Sequence, residues 1–322
     1  MNDVHYVDQP EHPIHDRFWK AHPEYRRDPG HDAYNGNCFD YGMPEVRAYQ
    51  LAYARELVMR YDLYGFELDW MRNPYHFKPG AEEAGCAILT EFVRQVRQLL
   101  DERQREVGHP IRLGARVPSR PKTARGLGMD ALEWARQGLI NSLVITPFFG
   151  VTEFDMPIER WKEGLQDTGV SLAAGLEMAV RMHVGAHTTA HNLETLRGAA
   201  ASLLDRGADV IYLFNFMDNH PAGTSGEAYR ASIPAEVYRR ALREIGAPNT
   251  LAGKSRRHVV TSPNIWAPGE KPMLTLPRDC PAGESVSFRI PIGPAPLGRQ
   301  QGQVRLAVEP RETPGQAGWE IE

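Results

Sequence analysis

The segment Tyr61-Asp62-Leu63-Tyr64-Gly65-Phe66-Glu67-Leu68-Asp69-Trp70-Met71-Arg72-Asn73-Pro74 carries two carboxylates two residues apart. Strand side chains alternate, so Glu67, Asp69 and Met71 share one face and Phe66, Leu68 and Trp70 the other. The apolar face suits the helix-packed exterior of a sheet. Glu67 and Asp69 then point inward, where charge is costly unless it is paired or used. An internal ion pair with Arg116 or Arg72 is the alternative to a catalytic role. In Ser171-Leu172-Ala173-Ala174-Gly175-Leu176-Glu177, small residues Ala173 and Gly175 share a face with Glu177, leaving room beneath one carboxylate at the strand's C-terminal end. There the alternatives are a cap on the following segment or a pair with Arg181. Two carboxyl groups across a polar cleft are what glycoside hydrolysis needs, one to protonate the leaving oxygen and one to attack the anomeric carbon or activate water. The expected roles are Asp69 as general acid/base, Glu177 as nucleophile or base, and Glu67 as a carboxylate that raises the acid's pKa by like-charge proximity.

The neighbours of these carboxylates suit a sugar. Trp19, Trp70, Tyr75, His76, Phe77, Phe148, Phe149 and Phe216 fall in or beside loops after strands, where rings stack on apolar sugar faces, though some of them are ordinary loop packing. Asn215, Asp218, Asn219 and His220 supply hydrogen-bonding groups for hydroxyls. Arg116 is placed to orient a carboxylate or bind an acidic sugar. The expected substrate contacts are Trp70, Arg72, Tyr75, Arg116, Phe148, Asn215 and Asp218.

The elements that must position these residues alternate. Strand candidates are Tyr64 to Trp70, Ile111 to Val117, Ser142 to Phe148, Val170 to Glu177 and Asp209 to Phe216. Helices are expected near 44–60, 82–107, 124–137, 157–167, 190–206 and 234–246. Pro44 and Pro234 sit where a first-turn proline is tolerated, and Gly108, Gly138 and Gly169 where helices stop. Such βα units build a parallel sheet, either doubly wound or closed into a barrel. No G-x-G-x-x-G or G-x-x-x-x-G-K-[ST] follows any strand, whereas polar and aromatic residues gather at strand C-terminal ends, as in (β/α)8 barrels. The barrel is the expected fold, over residues 1–250. Residues 251–322 turn to short β-prone runs between Pro and Gly, such as His258 to Thr261, Ser285 to Ile290 and Gln303 to Val308, and read as a β-rich, sandwich-like appendage that is cut short.

Composition bounds the rest. The chain has 322 residues, 42% hydrophobic and 24% charged, with a net charge of −4 that gives no footprint for nucleic acid or an anionic membrane. No run of 18 apolar residues is present, and Met1-Asn2-Asp3-Val4-His5 lacks the regions of a signal peptide, which places the chain as written in the cytoplasm. A start further upstream would admit a secreted or periplasmic protein. Three cysteines are too few for a disulfide framework and too far apart for a zinc pattern. His183, His187 and His191 are spaced by four, yet Gly185 and Thr188-Thr189 read as loop and cap, so no metal and no cofactor is expected.

Pro44 to Phe77 (PEVRAYQLAYARELVMRYDLYGFELDWMRNPYHF) resembles the Pro-Glu-Val-Arg helix and following strand of glycosyl-hydrolase-like barrel families of environmental bacteria, and Gly207 to Phe216 is similar to their last barrel strand. The resemblance covers roughly residues 1–250. It implies a (β/α)8 barrel acting on a poly- or oligosaccharide and makes Met1 to His5 the end of a third strand, with Asn2, Asp3 and His5 as substrate contacts and the first two βα units missing. Counting back from an eighth strand at Asp209 to Phe216, YGFELDW is the fourth and VSLAAGLE the seventh, the strands that carry the acid/base and nucleophile in the largest clan of barrel glycosidases. A fainter likeness is to chitinase-like proteins, whose fourth strand ends in a catalytic glutamate where this chain has Met71. The alternative function is a degenerate barrel that binds carbohydrate without cleaving it. Exposed edges of an incomplete barrel would favour association with another copy.

Overall fold

The computed structural model describes residues 9–28, 35–148, 151–183, 185–216, 233–270, 276–279, 281 and 283–294. In chain order the elements are α1 (Arg17–Ala21), α2 (Pro44–Arg60), β1 (Gly65–Asp69), α3 (Glu82–Val107), β2 (Arg112–Pro118), α4 (Pro121–Gly126), α5 (Ala131–Arg136), β3 (Ser142–Thr146), α6 (Ile158–Gly164), β4 (Ser171–Leu176), the short strands β5 (Ala179–Val180) and β6 (Thr189–Ala190), α7 (Leu193–Asp205), β7 (Val210–Leu213), α8 (Ala235–Glu244) and α9 (Pro248–Leu251). The fold is mixed α/β. Among the described residues the main sheet has five parallel strands in the order β1-β2-β3-β4-β7, and β5 and β6 form a small antiparallel pair.

The main sheet has two unlike faces. Leu68, Leu113, Ala115, Val117, Leu143, Ile145, Leu172, Ala174 and Leu176 belong to the one large apolar core, joined by helix residues such as Leu89, Val93, Leu196 and Leu203. Burying these side chains on the helix-covered face is what holds the sheet, at roughly 25 cal/mol per Å² of apolar surface removed from water. The opposite face carries Glu67, Asp69, Arg116, Thr146, Gly175 and Tyr212, in register across neighbouring strands. This face is concave. Flat, four inter-strand spacings of about 4.8 Å would hold β1 and β7 roughly 19 Å apart, yet side chains of these two edge strands touch, the Tyr212 hydroxyl lying 3.1 Å from Glu67.

Curvature crowds the inner side chains, and the sequence answers with small residues. A Cβ at Gly175 would lie 2.8 Å from Thr146 Oγ1 and 2.9 Å from Thr146 Cβ, and one at Gly114 would lie 2.8 Å from Ser142 Oγ. Helix ends follow local chemistry. Pro44 opens α2, Gly108 closes α3 in the left-handed conformation at φ 79°, and Asn192 caps α7 in a reciprocal box with Thr195.

Two expectations need correction. The helix foreseen over 124–137 is two helices, because Gly128 turns the chain at φ 90° and the Met129 amide donates to the Ala124 carbonyl, ending α4. The runs His258 to Thr261 and Ser285 to Ile290 are not strands; among the described residues after α9 no strand occurs, and Gln303 to Val308 lies outside them. Instead of pairing with one another, these residues bond to the α/β body. The Arg257 amide donates to Glu194 O at 2.9 Å, the Ser262 amide to Met182 O at 2.7 Å and Asn264 Nδ2 to Phe148 O at 2.7 Å, while Thr123 Oγ1 donates to Glu270 at 2.8 Å. Residues 257–270 thus run past α7, the segment after β5, the loop after β3 and α4. They also explain why α7 is buried on nearly every side: a Cβ at Gly198 would run into the Arg257 carbonyl.

Candidate functional site

Alternation along β1 presents Glu67 and Asp69 on the concave face, as the sequence spacing predicts, but their surroundings differ. Asp69 is engaged on both oxygens. Arg116 Nε donates to Oδ1 at 2.9 Å and Nη2 to Oδ2 at 3.1 Å, and the Met71 amide adds a bond to Oδ1 at 2.9 Å. Arg116 is 1% exposed, and its guanidinium also lies 3.7 Å from the Phe214 ring centroid. A planar cation held by a two-point carboxylate and an aromatic face is well compensated for burial. The internal ion pair weighed in the sequence is therefore present, at Asp69 and with Arg116. Asp69 thus ties the end of β1 to Arg116 and to the Met71 amide.

Glu67 lies at the same concave face, reached by solvent at its surface yet crowded by enough protein atoms to lose part of its hydration. Its pKa is raised, chiefly because surrounding atoms strip water from it; the hydrogen bond from Tyr212 opposes the rise, Asp69 adds to it and Arg116 counters. Tyr212, the donor at 3.1 Å, is itself pushed up to about 12 by desolvation and then by the nearby Glu67 charge. Tyr212 was missed in the sequence. It sits mid-strand in an apolar run, and only the curvature brings it to Glu67.

Glu177 follows β4 directly and is 2% exposed. Its backbone carbonyl accepts from the Thr152 hydroxyl at 3.0 Å. A second buried carboxylate, Glu153, also escaped the sequence reading: it accepts from Ser119 Oγ at 2.6 Å and pairs with Arg120, whose guanidinium faces Trp266 at 5.8 Å. No motif marks it, since it lies in the irregular stretch between β3 and α6.

The expected substrate contacts divide. Trp70 is not available for stacking: it is 1% exposed and packed among Tyr41, His76, Phe92 and Trp134, because strand parity turns it with Leu68 to the helix side. Trp19, His76, Phe77 and Phe216 are buried as well. Arg72 stays near the concave face, 5.6 Å from the Phe214 ring. Tyr75 is half-buried with Arg27 over its ring at 5.1 Å, and Phe148 is half-buried in the loop after β3. Asn215 adopts φ 58°, a left-handed turn that asparagine tolerates. Asn2, Asp3, His5, Phe149 and Asp218 lie outside the described residues, as do Asn219 and His220. Among the described residues no three His, Cys, Asp or Glu side chains gather to hold a metal ion, and no helix is long and apolar enough to cross a membrane.

No protein-family model matches the chain, and no curated protein sequence matches it. Among solved structures, a chitinase from Chromobacterium violaceum ATCC 12472 matches 62% of this chain and 72% of its own length at 10% identity, with a TM-score of 0.36. At that similarity the match does not bear on function.

Proposed function

We propose that the chain forms the greater part of a (β/α)8-type barrel that hydrolyses a glycosidic bond, with Glu67 as the proton donor and Glu177 as nucleophile or base. The observation that carries this reading is the contrast on β1: Asp69 is saturated by Arg116, while Glu67, two residues earlier on the same face, is solvent-accessible with a raised pKa. Desolvation keeps a carboxyl group protonated toward neutral pH, which a general acid requires. The sequential strand order, with no reversal, supports a barrel over a doubly wound sheet, whose ligands bind where the order reverses. In the proposed reaction Glu67 gives its proton to the leaving oxygen as the C–O bond breaks. Glu177 attacks the anomeric carbon, or deprotonates the water that does, and the Asp69–Arg116 pair holds the strand end in place.

A second reading, a barrel that binds carbohydrate without cleaving it, is favoured by the same engagement of Asp69, which ties one carboxylate of the concave face into an ion pair. A panel of aryl glycosides separates the two. Turnover lost by roughly 10²-fold or more in Glu67→Gln and in Glu177→Gln supports hydrolysis. Oligosaccharide binding without turnover in the wild type supports the binder.

A further inference from the structure

We infer that Thr152 and His191 are positioning residues that fix the turn after β4, and with it Glu177, through one continuous chain of hydrogen bonds; the kinetic part of this inference rests on the role proposed for Glu177.

Thr152 and Glu153 are consecutive, buried, and reach in opposite directions. Glu153 binds Ser119 and Arg120, which follow β2. Thr152 Oγ1 meets three groups beyond β4: the Glu177 carbonyl at 3.0 Å, the Ala179 carbonyl at 2.9 Å and His191 Nε2 at 2.7 Å. The far ring nitrogen, Nδ1, lies 2.9 Å from Thr195 Oγ1, the residue that closes the capping box of α7. The segment between β3 and α6 is thereby braced to the turns on both sides of it.

The hydrogen count assigns the tautomer. The Thr152 hydroxyl has one proton, and both carbonyls can only accept, so that proton goes to them and an oxygen lone pair faces His191. Nε2 then carries the ring hydrogen and donates to Thr152, while on the far side the one Thr195 hydroxyl proton is shared between Nδ1 and the Asn192 carbonyl, each 2.9 Å away. His191 is 1% exposed, and burial lowers its pKa to about 3, with a hydrogen bond to the Glu177 backbone carbonyl opposing. The ring is neutral across the physiological range and serves as a fixed donor. Two carbonyls, on either side of Met178, converge on one hydroxyl, so the path of the chain through Glu177 is set from Thr152. A shift of about 1 Å in a reacting group can cost about 10²-fold in rate.

Three variants and two measurements test this. With a responsive aryl glycoside, Thr152→Val should lower kcat by about 10- to 100-fold with KM within about twofold, and Thr152→Ser, which keeps the hydroxyl, should restore it. His191→Gln, whose amide can stand in for Nε2–H, should lie between them. Wild-type kcat in Thr152→Val, or no recovery in Thr152→Ser, overturns the kinetic role. The bond chain is read separately from the ring nitrogens of His191 by long-range 1H–15N NMR: a single Nε2–H tautomer from pH 5 to 8 in the wild type, and a mixed or altered one in Thr152→Val. An Nδ1–H tautomer, titration near the free-histidine value, or an unchanged spectrum in Thr152→Val overturns the chain itself. If the wild type cleaves no glycoside, the kinetic role falls with the proposed function, and the NMR result alone decides the brace.

Discussion

Tyr212 on the last strand donates its hydroxyl to Glu67 on the first, at 3.1 Å across the concave face of the sheet. Among the described residues these strands are the two edges of the sheet, so the bond reports curvature and builds the site at once.

Tyr212→Phe removes the bond that favours ionised Glu67, so the Glu67 pKa should rise further. If the protonated form is the active one, activity falls as pH rises through that value, and the basic limb of the pH–rate profile should move to higher pH. Carboxyl 13C titration measures the same shift without substrate, and an unmoved titration would refute the coupling.

Glu67→Gln should leave the fold intact and become favourable as pH rises. Because the folded pKa of Glu67 lies above its ordinary 4.5, its stabilising contribution is full below 4.5 and lost as pH rises through the folded value. The variant escapes this loss, so the gap in Tm between Glu67→Gln and the wild type should widen from pH 4 to pH 7.

Asp69→Asn should behave differently. It leaves Arg116, 1% exposed, without its counter-charge, at a cost of about 3–5 kcal/mol in urea denaturation. Asp69→Asn combined with Arg116→Met should recover much of that loss. Equal stabilities for Asp69→Asn and wild type would show the pair to be dispensable for folding.

Arg197 on α7 donates to Glu244 on α8 at 2.7 Å, with Lys254 at 3.1 Å from the same carboxylate. The Arg197 bond, against a smaller desolvation, lowers Glu244 to about 2. Its contribution is present above pH 4.5 and lost as pH falls toward 2, so Glu244→Gln should weaken the protein at pH 7 by about 3 kcal/mol. The deficit should shrink below pH 4.

Gly175→Ala tests the curvature. The added methyl meets Thr146 at 2.8–2.9 Å and a backbone carbonyl, Ile145 O, at 3.2 Å, so a loss of about 1–3 kcal/mol is expected. Unchanged stability would mean that the inner face has slack.

Alternation in Gly65–Asp69 and Ser171–Leu176, with apolar periodicity in the helices between, was legible because strand parity and helix pitch are local properties of the chain. These placed five strands, put Glu67 and Asp69 on one face, and located the helix ends at Pro44 and Gly108. The same parity already turned Trp70 toward the helices, although its aromatic character suggested a ligand contact.

What the sequence determined by itself was therefore which residues share a face. Only the tertiary structure decided which faces meet: that Arg116 takes Asp69 and leaves Glu67, that Tyr212 reaches across from the other edge, and that the β-prone residues after α9 bond to loops and to α7 instead of to one another. Those choices depend on sheet curvature and on backbone groups tens to hundreds of residues apart, which no local spacing encodes.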